Sequence, residues 1–503
     1  MNILIILPFL VGLLTGIVLL VLSFKDHKDK FDFVGNAEDA ASRKKLHEYV
    51  AIILFLMASI SMAVAFSGQS EIRLFTLVDG ISIFFRVDKI GAMFAVVTTV
   101  VWLAVLLYSF KYMQHEENEK RFYAFYILAY GVLMCLDFSG NLITFYMFYE
   151  LMSLSTMPLV FHSGTRESIM AAYKYLFYSL AGAYCSLFGI YVLHASMSGS
   201  LAFNPGGAVV FGSRFYGGGL QLLGVFLMLI GFGAKAGMFP LHAWLTAAHP
   251  VAPSPASAAL SAIIVKCGVL GIIRVLFFVV DYKAIAGTWV QYTFMTLTLI
   301  TVFMGSLLAF REKVFKKRLA YSTVSQVSYI LFGLSTFDPA AFTGSLLHVV
   351  AHAFIKCGLF LTAGIFLFRT KETMADGYVG IGKRMPVTLW SYTICSLGLI
   401  GIPPTAGFIS KWYLATGALD AGIGAFRYVG PAVLLVSALL TAGYLLPITM
   451  KGFFPGEGFE VKEKDKFDIM TAMLLLMAVL AFVLGLFPNP LTDFAGSIVS
   501  EIM

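Results

Sequence analysis

Seven charged side chains lie inside segments that are otherwise apolar: Lys174, Lys235, Lys266, Arg274, Lys356, Lys411 and a lone acid, Glu150. A charge at the bilayer centre costs roughly 2.5–3.5 kcal/mol on insertion scales. Seven of them facing lipid would oppose insertion by about 17–25 kcal/mol. These groups must instead face one another, or water, inside a helix bundle. A line of titratable groups across a membrane is what proton conduction needs.

The rest of the chain supplies that membrane setting. Of 503 residues, 59% are hydrophobic and 13% charged, with a mean hydropathy of +0.86. A soluble domain cannot hide that much apolar surface, so the chain reads as an all-α polytopic membrane protein. At roughly 20 apolar residues per span, about 14 spans are expected. They run over 2–24, 48–67, 89–110, 122–138, 141–162, 167–197, 219–246, 252–281, 287–310, 317–337, 339–369, 387–421, 428–453 and 467–488. Only Ser139 and Gly140 separate the fourth from the fifth.

Loop charges orient the bundle. Lys25, Lys28, Lys30, Arg43, Lys44 and Lys45 follow span 1, and Arg311, Lys313, Lys316, Lys317 and Arg318 follow span 9. The opposite loops hold Arg73, Arg86, Lys89, Arg214, Lys283 and Arg427. The first set is cytoplasmic on this reading, and both termini face outward across a prokaryotic cell membrane. The N-terminus lacks a basic n-region and a small-residue cleavage site, so it reads as an uncleaved first helix rather than a signal peptide. The net charge of +7 is mostly this asymmetry, and no basic patch suggests nucleic acid.

Two spans carry helix-breaking sequence at mid-depth. One reads GFGAKAGMFPLHAWLTAAHP, with Pro240 just after Lys235; the other reads SLGLIGIPPTAGFISKWYLA, with Pro403 and Pro404 before Lys411. Proline removes a backbone donor and clashes with the preceding turn, which is tolerated in lipid only where neighbours or a cavity satisfy the freed groups. Paired broken helices point to inverted repeats with an ion site at the breaks; the bland alternative is a packing kink. Lys174 precedes Gly182 by the same spacing as Lys356 precedes Gly364, and both pairs of spans lie five apart. The expected organisation is therefore spans 1–3 over residues 1–121, a five-helix repeat over 122–281, an inverted copy over 287–453, and a C-terminal loop and fourteenth span over 454–503.

The cysteines, Cys135, Cys185, Cys267, Cys357 and Cys395, all fall within spans without a CxxC pair. Disulfides, iron–sulfur ligation and structural zinc are unsupported. No P-loop or dinucleotide fingerprint is present. No cofactor, metal or catalytic redox site is expected in the chain itself.

The runs FYELMSLS, AKAGMFPLHAWLTAAHPVAPSPASAALSAIIVKCG, LAYSTVSQVSYI, HAFIKCGLF and GIPPTAGFISKW resemble the proton-translocating antiporter-like subunits. That family includes the large membrane-arm subunits of respiratory complex I, the A-type and D-type subunits of Mrp sodium/proton antiporters, and counterparts in energy-converting hydrogenases. The resemblance runs from about Asp88 to Lys451 and implies 14 helices with inverted five-helix repeats. It matches Glu150 to the family's fifth-helix glutamate, Lys235 to the lysine of the broken seventh helix and Lys266 to the basic residue of the eighth. It also matches His348, His352 and Lys356 to the eleventh-helix motif and Lys411 to the terminal residue of the broken twelfth helix. Lysine at that last place resembles the Mrp D type and some complex I subunits. The family often carries an acid where Val314 stands, in VFKKRLAYS, which puts a cytoplasmic-loop contact in doubt. The chain stops soon after span 14, without the long extension of the distal complex I subunit or of the Mrp A type, so an inner or D-type member is expected.

A lysine carries protons only if it can release them near neutral pH. Burial disfavours its charged form and a nearby carboxylate favours it. Two charges 4 Å apart interact by about 4 kcal/mol at an effective dielectric of 20, enough to switch a carrier. Glu150 is accordingly expected to pair with Lys235, with a static ion pair as the alternative. Lys266 would hand protons onward, unless it merely snorkels from a helix end. His348 and His352 are one turn apart and Lys356 continues their face, a natural relay. His242 and His249, flanking the first break, either line water or are satisfied polar residues. Lys174 is a possible participant, and Arg274 reads as structural, since arginine barely deprotonates.

The expected function is proton transfer within a multisubunit Mrp-type cation/proton antiporter, with other antiporter-like and small membrane subunits as partners. The alternative is the same module in a redox-driven complex, complex I-like or hydrogenase-linked, with hydrophilic redox subunits as further partners.

Overall fold

The computed structural model describes residues 2–29, 37–68, 70–78, 81–196, 201–207, 218–456 and 465–503. Lys30 and Arg214, two of the loop charges used to orient the chain, lie outside them. The chain is a bundle of helices. The first part comprises α1 (Leu7–Asp29), α2 (Ala37–Ala65), α3 (Lys89–Tyr112), α4 (Glu119–Asp137), α5 (Leu142–Val160), α6 (Arg166–Ser196), α7 (Gly219–Ala236), α8 (Ala243–Val251), α9 (Ser254–Ala259) and α10 (Val265–Arg274). The second comprises α11 (Trp289–Arg311), α12 (Phe315–Ser335), α13 (Pro339–Thr370), α14 (Ile381–Arg384), α15 (Pro386–Ile400), α16 (Ala406–Asp420), α17 (Phe426–Phe453), α18 (Ile469–Leu486) and α19 (Asn489–Ile502).

Among the described residues ten helices are long and apolar enough to cross a membrane. The other four expected spans are α4, α5, α12 and the pair α15–α16. Their polar content has a reason: α12 is buried over most of its length and turns Ser322, Thr323, Ser325, Gln326 and Ser328 into the bundle. The close fourth and fifth spans are two helices, because Asn141 accepts from the Thr144 amide (2.7 Å) and caps α5. The eighth span is one continuous helix in which π turns at Leu260–Ile264 and Val275–Val279 flank α10.

Two elements were not expected. An antiparallel hairpin, β1 (Glu71–Val78) and β2 (Ile81–Arg86), pairs Glu71 with Arg86 and covers the α4–α5 turn through Arg86 N to Phe138 O (2.8 Å) and Gly140 N to Phe84 O (3.0 Å). The amphipathic helix α19 buries Ala495, Ile498, Val499 and Ile502 and packs on α13.

The expected breaks in spans 7 and 12 are present. Helix α7 ends at Gly237 and α15 at Gly401, with φ of 82° and 92°. Both lie in the left-handed region that glycine adopts without a Cβ penalty. Prolines follow each cap, and the chain resumes as α8 and α16. Each broken pair packs on one long helix: α7 and α8 on α6, α15 and α16 on α13.

Candidate functional site

At the first break the half-helix end is satisfied from its surroundings. The Trp244 indole donates to Ala234 O (2.8 Å), Met238 N to Gly233 O (2.9 Å), and Phe239 N to the Thr301 hydroxyl of α11 (3.0 Å). Lys235, in the last turn of α7, is fully buried. A cation there complements the partial negative charge of a helix C-terminus. Its Nζ donates to Tyr175 Oη (2.9 Å) and Ser179 Oγ (2.8 Å), both on α6. The rings of Tyr175, Trp244 and Tyr149 stand 4.2, 5.6 and 5.9 Å from it. Tyr175 continues to Thr156 Oγ1 on α5 (2.7 Å).

The expected contact between Glu150 and Lys235 is not formed within 4.0 Å. Glu150 lies on α5 within electrostatic reach of the lysine, with its Oε1 buried and unbonded. The hydroxyls of Tyr175 and Ser179 take the contact position instead. At the greater separation the coupling falls below the roughly 4 kcal/mol of a 4 Å pair.

Lys266 sits at the centre. Its Nζ donates to Ser261 O (2.9 Å) within the π turn, and Ser261 Oγ pairs with Thr323 Oγ1 of α12 (2.8 Å). A π turn frees a carbonyl that a regular helix would use, and such turns frequently occur at functional sites. Lys266 is within electrostatic reach of His348, His352 and Lys356. The His348 and His352 rings stack at 5.7 Å, and His348 Nδ1 pairs with Ser410 Oγ of α16 (2.8 Å). Lys356 donates to Leu319 O (2.8 Å) and to Ser322 Oγ.

At the second break Lys411 reaches back from α16 to the open end of α15. It donates to Leu399 O (2.6 Å) and Ile400 O (3.0 Å), with the Tyr329 ring 4.8 Å away. Around these groups, both ring nitrogens of His352, Nε2 of His348 and the Ser328 hydroxyl are buried without a protein partner. Buried polar groups of this kind are ordinarily bridged by ordered water. The chain thus encloses a polar seam, with lysines at the two breaks, between apolar walls.

Not every expected participant joins this seam. Lys174 is exposed on the perimeter of α6; the inward face of that helix carries Tyr175 and Ser179, one turn apart. His242 is half-buried beside Phe239. His249, at the other end of α8, has its ring centroid 4.6 Å from that of Phe360 of α13, within electrostatic reach of Lys356 and Lys316. Arg274 is locked by both terminal guanidinium nitrogens to Asp88, the N-cap of α3, between Phe203 and Phe278. Glu150 is not the lone buried acid: Asp137, at the end of α4, is 1% exposed, bonds Thr98 (3.4 Å) and lies within reach of Arg274. Val314 stands where an acid was expected; two residues earlier, Glu312 Oε1 accepts from the Lys313 and Val314 amides (3.0 Å each) and Oε2 pairs with Lys317 (2.9 Å).

Sequence and structure comparisons agree with this arrangement. Residues 139–453 match the model of the NADH:quinone oxidoreductase/Mrp antiporter transmembrane family, and residues 78–123 match the N-terminus of chain 5 of NADH-ubiquinone oxidoreductase (complex I). NADH-quinone oxidoreductase subunit N of Desulforudis audaxviator is 34% identical over 372 residues, 74% of this chain and 72% of that protein. The D-type Na(+)/H(+) antiporter subunit of Alkalihalophilus pseudofirmus is 25% identical over 507 residues, 100% of this chain and 98% of the relative. A chain in the structure of the Mrp complex from Dietzia sp. superposes with a TM-score of 0.83 at 21% identity, covering 100% of this chain and 98% of that one. With the family model spanning most of the sequence and the broken helices in place, this multi-pass membrane chain belongs to the NADH:quinone oxidoreductase/Mrp antiporter family.

Proposed function

We propose that the chain is the proton-translocating membrane subunit of a multisubunit Mrp-type cation/proton antiporter. The observation that carries this reading is the seam of buried Lys235, Lys266, His352 and His348, ending at half-buried Lys411, with polar atoms beside it that no protein group satisfies. In this reading Glu150 modulates Lys235, Lys235 and Lys266 carry protons, His348, His352 and Lys356 link the halves, and Lys411 is the terminal gate. Residues 122–281 and 287–453 act as inverted half-channels, between an N-terminal part (1–121) and a C-terminal part (454–503). The full-length likeness to a D-type antiporter subunit supports the Mrp assignment. Its partners would be the other membrane subunits of such a complex, in a prokaryotic plasma membrane with both termini outward.

The 34% identity to an NADH-quinone oxidoreductase subunit favours a second reading, the same proton module driven by electron transfer in attached redox subunits. One experiment separates them. Inverted vesicles bearing the intact complex are tested for proton movement driven by a sodium gradient, and then by a quinone-linked reductant. Exchange without reductant supports the antiporter; movement only with reductant overturns it in favour of the redox reading. In either assay Lys235→Ala should abolish transport with the complex assembled, and near-normal transport would remove Lys235 from the path.

A further inference from the structure

A groove of ≈ 800 Å³ runs down the bundle between α3, α13, α18 and α19, away from the polar seam. Three helices line it with residues one turn apart: Ala92 and Val96 of α3, Val350 and Phe354 of α13, and Leu480 and Leu484 of α18. Side chains at i and i+4 share a helix face, so the wall is a set of parallel apolar stripes along the helix axes. That shape suits an extended chain rather than a compact ligand. Its mouth is polar and carries both signs: Lys89 and Glu501 form an ion pair at 3.0 Å, with both side chains about half exposed. The neighbouring Asp88 is already committed to Arg274.

We propose that this groove holds one acyl chain of a membrane phospholipid whose headgroup carries both a phosphate and a primary amine. An acyl chain gains little by exchanging lipid for an apolar protein wall, so selection must come from the mouth. There the Lys89 ammonium suits a phosphate and the Glu501 carboxylate suits an ammonium, and a headgroup with both charges replaces one ion pair by two. A purely anionic headgroup would satisfy Lys89 and leave Glu501 facing a like charge. Val350 and Phe354 lie two residues on from His348 and His352, so the bound chain would back the opposite flank of the helix that carries the relay histidines.

The test is native mass spectrometry of the intact purified complex after exchange with equal amounts of dioleoyl phosphatidylethanolamine and dioleoyl phosphatidylglycerol. The expected result is one ethanolamine lipid retained per copy of this chain, favoured by about tenfold. Val96→Trp, and separately Ala92→Trp from the same stripe, should each cut retention by a similar factor. Lys89→Gln with Glu501→Gln should abolish the headgroup preference while leaving the groove open, and the charge exchange Lys89→Glu with Glu501→Lys should keep it. Equal retention of both lipids, or retention unchanged by both tryptophans, overturns the proposal. So does cross-linking of a Val96→Cys variant to a neighbouring subunit in the intact complex, which would give the groove to a protein helix.

Discussion

The two broken helices hold their lysines in opposite ways. Lys235 belongs to the half-helix that ends, yet its ammonium turns aside to two hydroxyls of α6 and three aromatic faces. Lys411 belongs to the half-helix that begins again, yet its ammonium reaches back onto the free carbonyls of the one that ended. At the first break the Trp244 indole bonds a last-turn carbonyl, Ala234 O, where a lysine bonds last-turn carbonyls at the second. Backbone carbonyls are fixed dipoles and cannot leave; hydroxyls rotate, and in the proposed function Glu150 modulates Lys235 from a distance. The first site is therefore the adjustable one and the second is set by the fold.

That contrast can be broken by experiment. Lys235→Ala and Lys411→Ala should each reduce coupled transport in vesicles to background, and survival of either would show that one break suffices. Glu150→Ala should likewise abolish coupling, since the adjustable site loses its modulator; a variant that only slows transport would mean that Tyr175 and Ser179 alone tune Lys235. Tyr175→Phe removes one of two acceptors from a buried ammonium. The unmet hydrogen bond is worth about 1–3 kcal/mol, so a rate loss of roughly ten- to a hundredfold is expected. Tyr329→Phe keeps the ring over Lys411 and should leave transport within about twofold of the parent, because that site rests on carbonyls. Equal sensitivity of the two tyrosines would refute the distinction.

A smaller effect belongs to a loop outside the membrane. Burial works against ionisation of the Glu312 carboxyl, but Lys317 and the amides of Val314 and Lys313 hold it below the usual carboxylate range. A depressed carboxyl contributes stability above its unfolded pKa of about 4.3, and the contribution fades as pH falls through the folded value. Glu312→Gln should lower thermal stability by at most about 1 kcal/mol at pH 7, with the difference vanishing in acid. Lys174→Gln, on the exposed perimeter, should change neither transport nor stability measurably.

Much of this was legible in the sequence because a charge in an apolar span has few places to go. The prolines marked both breaks; the lipid cost of charge pointed to Lys235, Lys266 and Lys356, which are buried, and equally to Lys174, which is not. What stayed hidden was rotation and distance. Lys174 and Tyr175 are adjacent in sequence, yet one is exposed and the other buried, and nothing in the charge pattern of α6 says which turns inward; the Tyr175–Ser179 spacing was the available clue. The Glu150–Lys235 contact failed because hydroxyls on a third helix reach the lysine first. Asp137 was overlooked at the end of a span, where acids usually meet water. The hairpin was signalled by an Asp-Gly pair between apolar runs, a strong turn signature, lost among helices.

His249 carries one further consequence. It sits at the far end of the first broken pair, in α8, yet its ring lies on Phe360 of α13 in the second half. The ring pair ties the segment after the first break to the long helix on which the second broken pair packs, so a displacement of α8 would be felt beside the second break.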